Sequence, residues 1–492
     1  MSRFSNLEAI ILPRNRIVKS LNKMIIKKLL PVLAFVISVP VLPVLPVQAE
    51  QSAVSQPNIL FIFADDWGWA DLSCHGHPYV KTPNIDRLAK EGTDFYNFTV
   101  ASGVCSPSRT AVMTGLFPAQ LSVTGHFATP GKNAKRGMPD WVDPELPMLP
   151  RILQEAGYMT GHFGKWHLSN NMIPDSPRPE VYGYDMVGAF NCSGEQMPVH
   201  DDAKNAIVLI EESVAAQKPF FINLWVHEPH TPFHTLPEYR ERFPDLEPGH
   251  NVYASVLAHA DDRIGEVLDT LDRLGLTQNT LVIFSSDNGP AGSGSKAGKL
   301  TVKTDSATGE GFGHGASVGT TGGRKGRKGT IYQGGIGIPF LVRWPGHTPV
   351  AAVDKTSWIS AVDLLPTFCE IAGAALPDSF EPDGVSQVAV LKGTPALVRK
   401  KPLFWKKQEA RGSDADFAIL DRKWKLLTDV NFKKIQLYDI SVDPLEQDDV
   451  SQQNPEVAAE LLKKVKAWNA DLPTKPDPEL FSEKRPEKAQ EN

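Results

Sequence analysis

Cysteine is scarce in this chain: four in 492 residues, at Cys74, Cys105, Cys192 and Cys369. Their spacing matches no zinc motif, and four are too few for a disulfide framework, which leaves room for one disulfide at most. Positive charge is not in surplus either, the formal net charge being -6. That excludes the basic field a nucleic-acid partner requires. No internal repeat is present, so a repeat architecture is excluded. Charged residues make up only 22% and hydrophobic ones 41%. A chain of this length and composition can bury a large core.

The N-terminus carries basic residues through Lys27 and Lys28, an uncharged run from Leu29 to Val47, and small residues up to Ala49 before Glu50. This resembles a secretory signal over residues 1–49 with an over-long basic region, and a start at Met24 would leave a conventional short one. A membrane anchor is the competing reading, against which Pro31, Pro40, Pro43 and Pro46 interrupt any straight span. The expectation is an exported protein, periplasmic or secreted, with no stable membrane insertion after cleavage.

Apolar runs set the order of the elements. Asn58 to Ala64 reads as a strand buried on both faces, ending in Asp65, Asp66, Trp67 and Gly68. Helices follow over Thr82 to Gly92, Leu149 to Gly157 and Asp201 to Gln217. The strand from Pro219 to Val226 ends in a histidine-rich cluster, and that from Thr280 to Ser285 ends in Ser286, Asp287, Asn288 and Gly289. A long helix over Val252 to Leu274 separates them. Strands alternate with helices, and polar clusters fall at the strands' C-terminal ends. The pattern predicts an α/β domain over residues 56–400, a large mixed, mostly parallel sheet sandwiched by helices. Within it, residues 291–329 read as a long mobile loop at the mouth of the site. Short strands and a closing helix from Pro455 to Leu472 predict a C-terminal antiparallel sheet plus helix over residues 401–475. Residues 476–492 read as a disordered tail.

The chemistry centres on the stretch Cys105 to Arg109. Pro107 suits the first turn of a helix, so Cys105 stands at or just before a helix N-terminus, where free N–H groups attract an anion. Arg109 shares its face and offers a planar donor fork for an oxyanion. Read alone, Cys105 is a buried structural thiol or the nucleophile of a thiolate phosphatase. The phosphatase loop cannot form, because it needs Cys-x5-Arg and here the arginine comes at +4 with a proline at +2. Asp65, Asp66, Asp287 and Asn288 place oxygens at two apolar strand ends, where paired acids cost energy unless a cation compensates them. An all-oxygen set suits Ca²⁺ or Mg²⁺, while carboxylates capping helices are the competing reading. Lys165 and His167 project to one side of an extended loop. His227, His230 and His234 suggest either a transition-metal cluster or, beside oxygen ligands, a general acid and substrate donors.

Together these segments resemble the type I, formylglycine-dependent sulfatases of the alkaline phosphatase superfamily, nearest to the arylsulfatase-A-like group. The motifs stand in family order from about Asn58 to about Asn469: Asp-Asp-Trp-Gly at 65–68, Cys-Ser-Pro-Ser-Arg at 105–109, Gly-Lys-Trp-His at 164–167, Pro-His-Thr-Pro at 229–232 and Ser-Asp-Asn-Gly at 286–289. The stretches at 326–335 and 437–444 also match. The resemblance implies an alkaline-phosphatase-like fold and a sulfuric ester hydrolase acting on a sulfated sugar or oligosaccharide. It implies one Ca²⁺ bound by Asp65, Asp66, Asp287, Asn288 and a formylglycine made from Cys105 by a sulfatase-maturing enzyme. Arg109, Lys165, His230 and Lys328 would hold the sulfate oxygens. One hydroxyl of the hydrated aldehyde would attack sulfur, with His230 protonating the leaving oxygen; His167 would take the proton that releases sulfate. Two alternatives share the scaffold: a phosphodiester or phosphonate monoester hydrolase, and a non-catalytic sulfated-glycan-binding protein. One departure stands out. Where many members have Glu-Gly-Gly-x-Arg, this chain has Gln333 and Gly337 at the two ends, leaving Arg324 or Arg327 to compensate.

Overall fold

Every residue of the strand Asn58–Ala64 is buried, as an apolar run in the middle of a sheet must be. It pairs in parallel with Phe220–Trp225 on one side and Thr280–Ser286 on the other. The computed structural model describes residues 56–292, 300–396, 398–399, 401–407 and 415–486. The N-terminal signal expected over 1–49 lies outside them. Edge to edge, the eight-stranded sheet runs Ala352–Asp354, Thr93–Phe95, Phe340–Arg343, Thr280–Ser286, Asn58–Ala64, Phe220–Trp225, Met159–Lys165, Met186–Phe190. Within it, Phe340–Arg343 alone runs antiparallel to its neighbours. The sheet is mixed and mostly parallel, as its apolar strands and intervening helices predict.

Alternation of side chains along the central strand builds a core on each face. Ile59, Phe61 and Phe63 pack with the helices Cys105–Thr114 and Leu364–Ala372. Leu60, Ile62 and Ala64 pack on the other face with Asp202–Ala216 and Pro248–Arg273. A second, four-stranded antiparallel sheet is formed by Leu403–Lys406, Phe417–Asp421, Trp424–Thr428 and Ile435–Asp439. The helix Pro455–Asp471 covers one of its faces through Ala458, Leu461 and Val465. Its other face, with Leu403, Trp405 and Leu427, joins the main core.

Two expectations change. The stretch read as a mobile loop contains, among its described residues, an antiparallel hairpin of Val302–Asp305 and Gly309–Phe312. Phe312 anchors it by exchanging backbone hydrogen bonds with Phe233 at 2.8 and 3.0 Å. Residues 476–486 are not a disordered tail: they form a turn at Pro478–Leu480, and Arg485 pairs with buried Asp140 at 3.0 Å. The ion pair and the packing of Arg485 over Phe481 hold a segment whose composition alone suggested solvation. All four cysteines are free, so the disulfide left open by the sequence is not formed. No helix among the described residues is long and apolar enough to cross a membrane.

Candidate active site

The register of the central strands assembles the site. Ala64 pairs with Ser286, so the residues that follow each strand, Asp65 and Asp66 on one and Asp287 and Asn288 on the other, emerge side by side. The Asp66 N–H donates to Asp287 Oδ1 at 3.2 Å, and Asn288 Nδ2 donates to Asp66 Oδ1 at 2.7 Å. Asp66 takes the left-handed conformation, φ 69°, one that aspartate tolerates better than most residues. All four side chains are buried. One ligand atom each from Asp65, Cys105 and Asp287 lies within 4.8 Å of the others.

Cys105 opens the helix Cys105–Thr114, whose N-cap is Val104. It therefore sits where the first N–H groups of the helix are unpaired and the dipole favours negative charge. A cavity of about 320 Å³ lies over it, lined also by Lys165, His167, His230 and Lys328. Five of the six side chains expected to do catalysis thus converge on one space. Lys165 comes from the end of Met159–Lys165. His167 follows in the left-handed conformation, φ 61°, and its Nε2 bonds the Phe127 carbonyl at 3.1 Å. His230 lies on the loop after Phe220–Trp225, between the cis prolyl bonds at Pro229 and Pro232.

Arg109 is the exception. It has no exposed surface and does not reach the cavity. Its Nε and Nη2 both bond Asp287 Oδ2, at 3.0 and 2.7 Å, and Nη1 bonds the Lys165 carbonyl at 3.1 Å. Its guanidinium packs against the rings of Phe63 and Trp225, 5.6 and 4.9 Å from their centroids. The contact it makes is with the Asp287 carboxylate, which it braces.

Charge is tightly balanced here. Lys165 bonds Asp65, and Lys328 Nζ lies 2.6 Å from Asp66 Oδ1. Burial raises the Asp65 carboxyl, but His230, Lys165, Arg109 and Lys328 outweigh it and hold it well below the usual range. Burial and then the neighbouring Asp65 push Asp287 well above it. The repulsion that drives these two buried acids apart is what a divalent ion held between them would relieve. Asp65 Oδ1 and Asn288 Oδ1 are buried without a hydrogen-bond partner. Orphaned hard oxygens, three carboxylates and an amide make a donor set that fits Ca²⁺. His230 and His167 are both held well below the ordinary histidine value, first by burial and then by Lys165 among other cations.

The arginine beside Gly337 is supplied by Arg324. A Cβ at Gly337 would lie 2.4 Å from Gln333 Oε1 and 3.5 Å from Arg324 Nε. Arg324 stacks over Trp69 at 4.0 Å and donates to the Tyr96 carbonyl at 3.2 Å, while Arg327 turns to the Gly319 carbonyl. Several lining residues were not found from the sequence: His126, Lys132, Asn171, Asn191, and the hairpin tip at Asp305 and Ser306. Asn171 Nδ2 reaches Ser306 Oγ at 3.1 Å, a contact between distant segments that no local pattern signals.

The comparisons with known proteins agree with this geometry. The chain belongs to the sulfatase family: the Sulfatase model matches residues 57–374. A model described as N-sulphoglucosamine sulphohydrolase, C-terminal, matches residues 327–471. Human arylsulfatase A is 30% identical over 424 residues, covering 77% of this chain and 76% of its own. The N-acetylgalactosamine-6-O-sulfatase of Bacteroides thetaiotaomicron is 28% identical over 511 residues, covering 84% and 94%. Among solved structures, Ps i-CgsB in complex with k-i-k-neocarrahexaose superposes with a TM-score of 0.72 at 28% identity, covering 87% of this chain and 96% of that one. The chain is accordingly a sulfuric ester hydrolase of alkaline-phosphatase-like fold.

Proposed function

We propose that this sulfatase removes sulfate from a sulfated carbohydrate outside the cytoplasm, with Cys105 matured to formylglycine and one bound Ca²⁺. The observation that carries the reading is the convergence of Cys105, Lys165, His167, His230 and Lys328 on one cavity above buried Asp65, Asp66 and Asp287. The relative named for N-acetylgalactosamine 6-sulfate and the neighbour bound to a carrageenan oligosaccharide support a sugar substrate. Asp65, Asp66, Asp287, Asn288 and the matured Cys105 would hold the ion. It would supply positive charge against the developing sulfuryl oxyanions, and the aldehyde hydrate would supply the hydroxyl that attacks sulfur.

The chain's own residues do the rest. Lys165 and Lys328 present ammonium groups to the sulfate oxygens from the cavity wall. A bound sulfate ester brings negative charge next to His230 and raises its proton affinity, so the ring can donate to the leaving sugar oxygen. His167 donates through Nε2 to the Phe127 carbonyl. Its buried Nδ1, without a partner, is left as the acceptor for the nucleophile's proton. Residues 56–400 form the catalytic domain and 401–475 the C-terminal subdomain in this reading. The N-terminal signal supports export to the periplasm or medium, and a formylglycine-generating or other sulfatase-maturing enzyme acts on Cys105 before function.

Sulfate release is measured from para-nitrophenyl sulfate and a panel of sulfated glycans, beside the matching aryl phosphate and a phosphonate monoester. Protein from a sulfatase-maturing host is expected to favour the sulfates, and Cys105→Ala to abolish turnover. Preference for the phosphorus esters would place it with the hydrolases sharing the scaffold. Glycan binding without turnover by matured protein would make it a lectin-like relic.

A further inference from the structure

The cavity over Cys105 has Val104 and His126 in its wall. Those two residues also wall a second recess of about 160 Å³, completed by Ser102, Gly103, Thr124, Gly125, Gly329 and Lys407. Part of its surface is bare backbone, for a physical reason. The Gly329 N–H donates to the Gly103 carbonyl at 2.7 Å, and a Cβ on Gly103 would lie 2.1 Å from the Thr330 carbonyl oxygen. No side chain fits there. Gly329 has φ +84°, and a Cβ on it would meet nothing within 4 Å. The left-handed backbone, not crowding, keeps that position clear.

The rest of the wall is mixed: the apolar Val104 and the ring of His126, the hydroxyl residues Ser102 and Thr124, and Lys407, whose Nζ stands 4.0 Å from Asp416. A small recess that combines an apolar wall with peptide groups, hydroxyls and one ammonium suits a ring with an apolar face, hydroxyl edges and an anionic substituent. It adjoins the two segments that deliver the chemistry, since Ser102 to Val104 lead into Cys105 and Gly329 follows Lys328. We propose that this recess is the subsite for a second sugar unit, the neighbour of the unit bearing the scissile sulfate, with Lys407 facing that neighbour's anionic substituent. The proposal rests on the sulfated-carbohydrate reading above.

The test compares wild type, Thr124→Trp and Lys407→Gln on para-nitrophenyl sulfate, sulfated monosaccharides, and the corresponding disaccharides and tetrasaccharides of the carrageenan and galactosaminoglycan series. Wild type is expected to gain about tenfold in kcat/KM from one sugar unit to two, mostly through KM. Thr124→Trp fills the recess and loses that gain while aryl sulfate turnover stays within about twofold. Lys407→Gln loses part of the gain, and only where the second unit is charged. Turnover independent of chain length would overturn the proposal, as would a Thr124→Trp effect equal on aryl sulfate and disaccharide. If aryl sulfate is hydrolysed and no sulfated sugar is, the carbohydrate reading falls and the subsite with it. If wild type hydrolyses neither, the fault lies in the proposed catalytic function itself.

Discussion

Arg109 and Asp287 form a fully buried pair in which Nε and Nη2 of the arginine both bond one carboxylate oxygen, at 3.0 and 2.7 Å. The guanidinium fixes the direction of Asp287 and leaves its other oxygen, Oδ1, to the Asp66 N–H at 3.2 Å. Arg109 would therefore act on the proposed metal ligands from behind. A lysine cannot reproduce this two-pronged contact. Arg109→Lys is expected to lower calcium retention and activity together, by about 10- to 100-fold, as loss of an outer-sphere partner does elsewhere. Metal analysis of the dialysed protein beside its turnover checks this. Full calcium content with lost activity would instead give Arg109 a direct sulfate contact.

In the proposed mechanism His230 protonates the leaving oxygen, so its worth depends on the leaving group. A sugar alkoxide needs that proton and a nitrophenolate hardly does. His230→Ala is expected to cut kcat on a sugar sulfate by about 10²- to 10⁴-fold, and to spare most of the rate on para-nitrophenyl sulfate. Equal losses on both would show that His230 binds sulfate without acting as the acid.

Removal of the proposed calcium would leave the buried Asp65, Asp66 and Asp287 mutually repelling, with Lys165, Lys328 and Arg109 as their charged partners. Chelation is expected to lower the thermal midpoint, and added Ca²⁺ to restore it in proportion to the logarithm of its concentration. Calorimetry with and without chelator measures both. An unchanged midpoint would mean that the lysines alone satisfy the carboxylates.

Far from the cavity, Asp261 caps the helix Pro83–Glu91, accepting from the N–H groups of Asn84 at 3.1 Å and Ile85 at 2.8 Å. Burial pushes its carboxyl up to about 7. Between its unfolded value near 3.9 and about 7 the native state holds a proton that the unfolded chain has lost, so this group's contribution to stability falls as pH rises through that window. Asp261→Asn should flatten the pH dependence of the unfolding midpoint between about pH 4 and 7. An unaltered slope would show that Asp261 is ionised throughout.

The parts of the site legible in the sequence were those fixed by a strand end. Once Asn58–Ala64 and Thr280–Ser286 are apolar neighbours in one sheet, Asp65, Asp66, Asp287 and Asn288 can only emerge together. The direction of Arg109 was not legible. Helical spacing puts it on the face of Cys105 but about 6 Å further along the axis, and only the packing of Phe63 and Trp225 shows that this depth lies below the cavity. The hairpin at 302–312 escaped because its half-buried strand positions, apart from Phe312, are Lys303, Asp305 and Gly311, so no hydrophobic alternation marks it. The end of the chain looked disordered because its charges read as solvated, whereas Arg485 has a buried carboxylate waiting in Asp140.

The central claim is that Cys105 becomes the nucleophile. The most direct measurement is the mass of the tryptic peptide Glu91–Arg109 from protein exported by a host that matures sulfatases. Conversion to formylglycine predicts a peptide about 18 Da lighter than its cysteine form. An unmodified thiol, in a host that matures other sulfatases, would contradict the account.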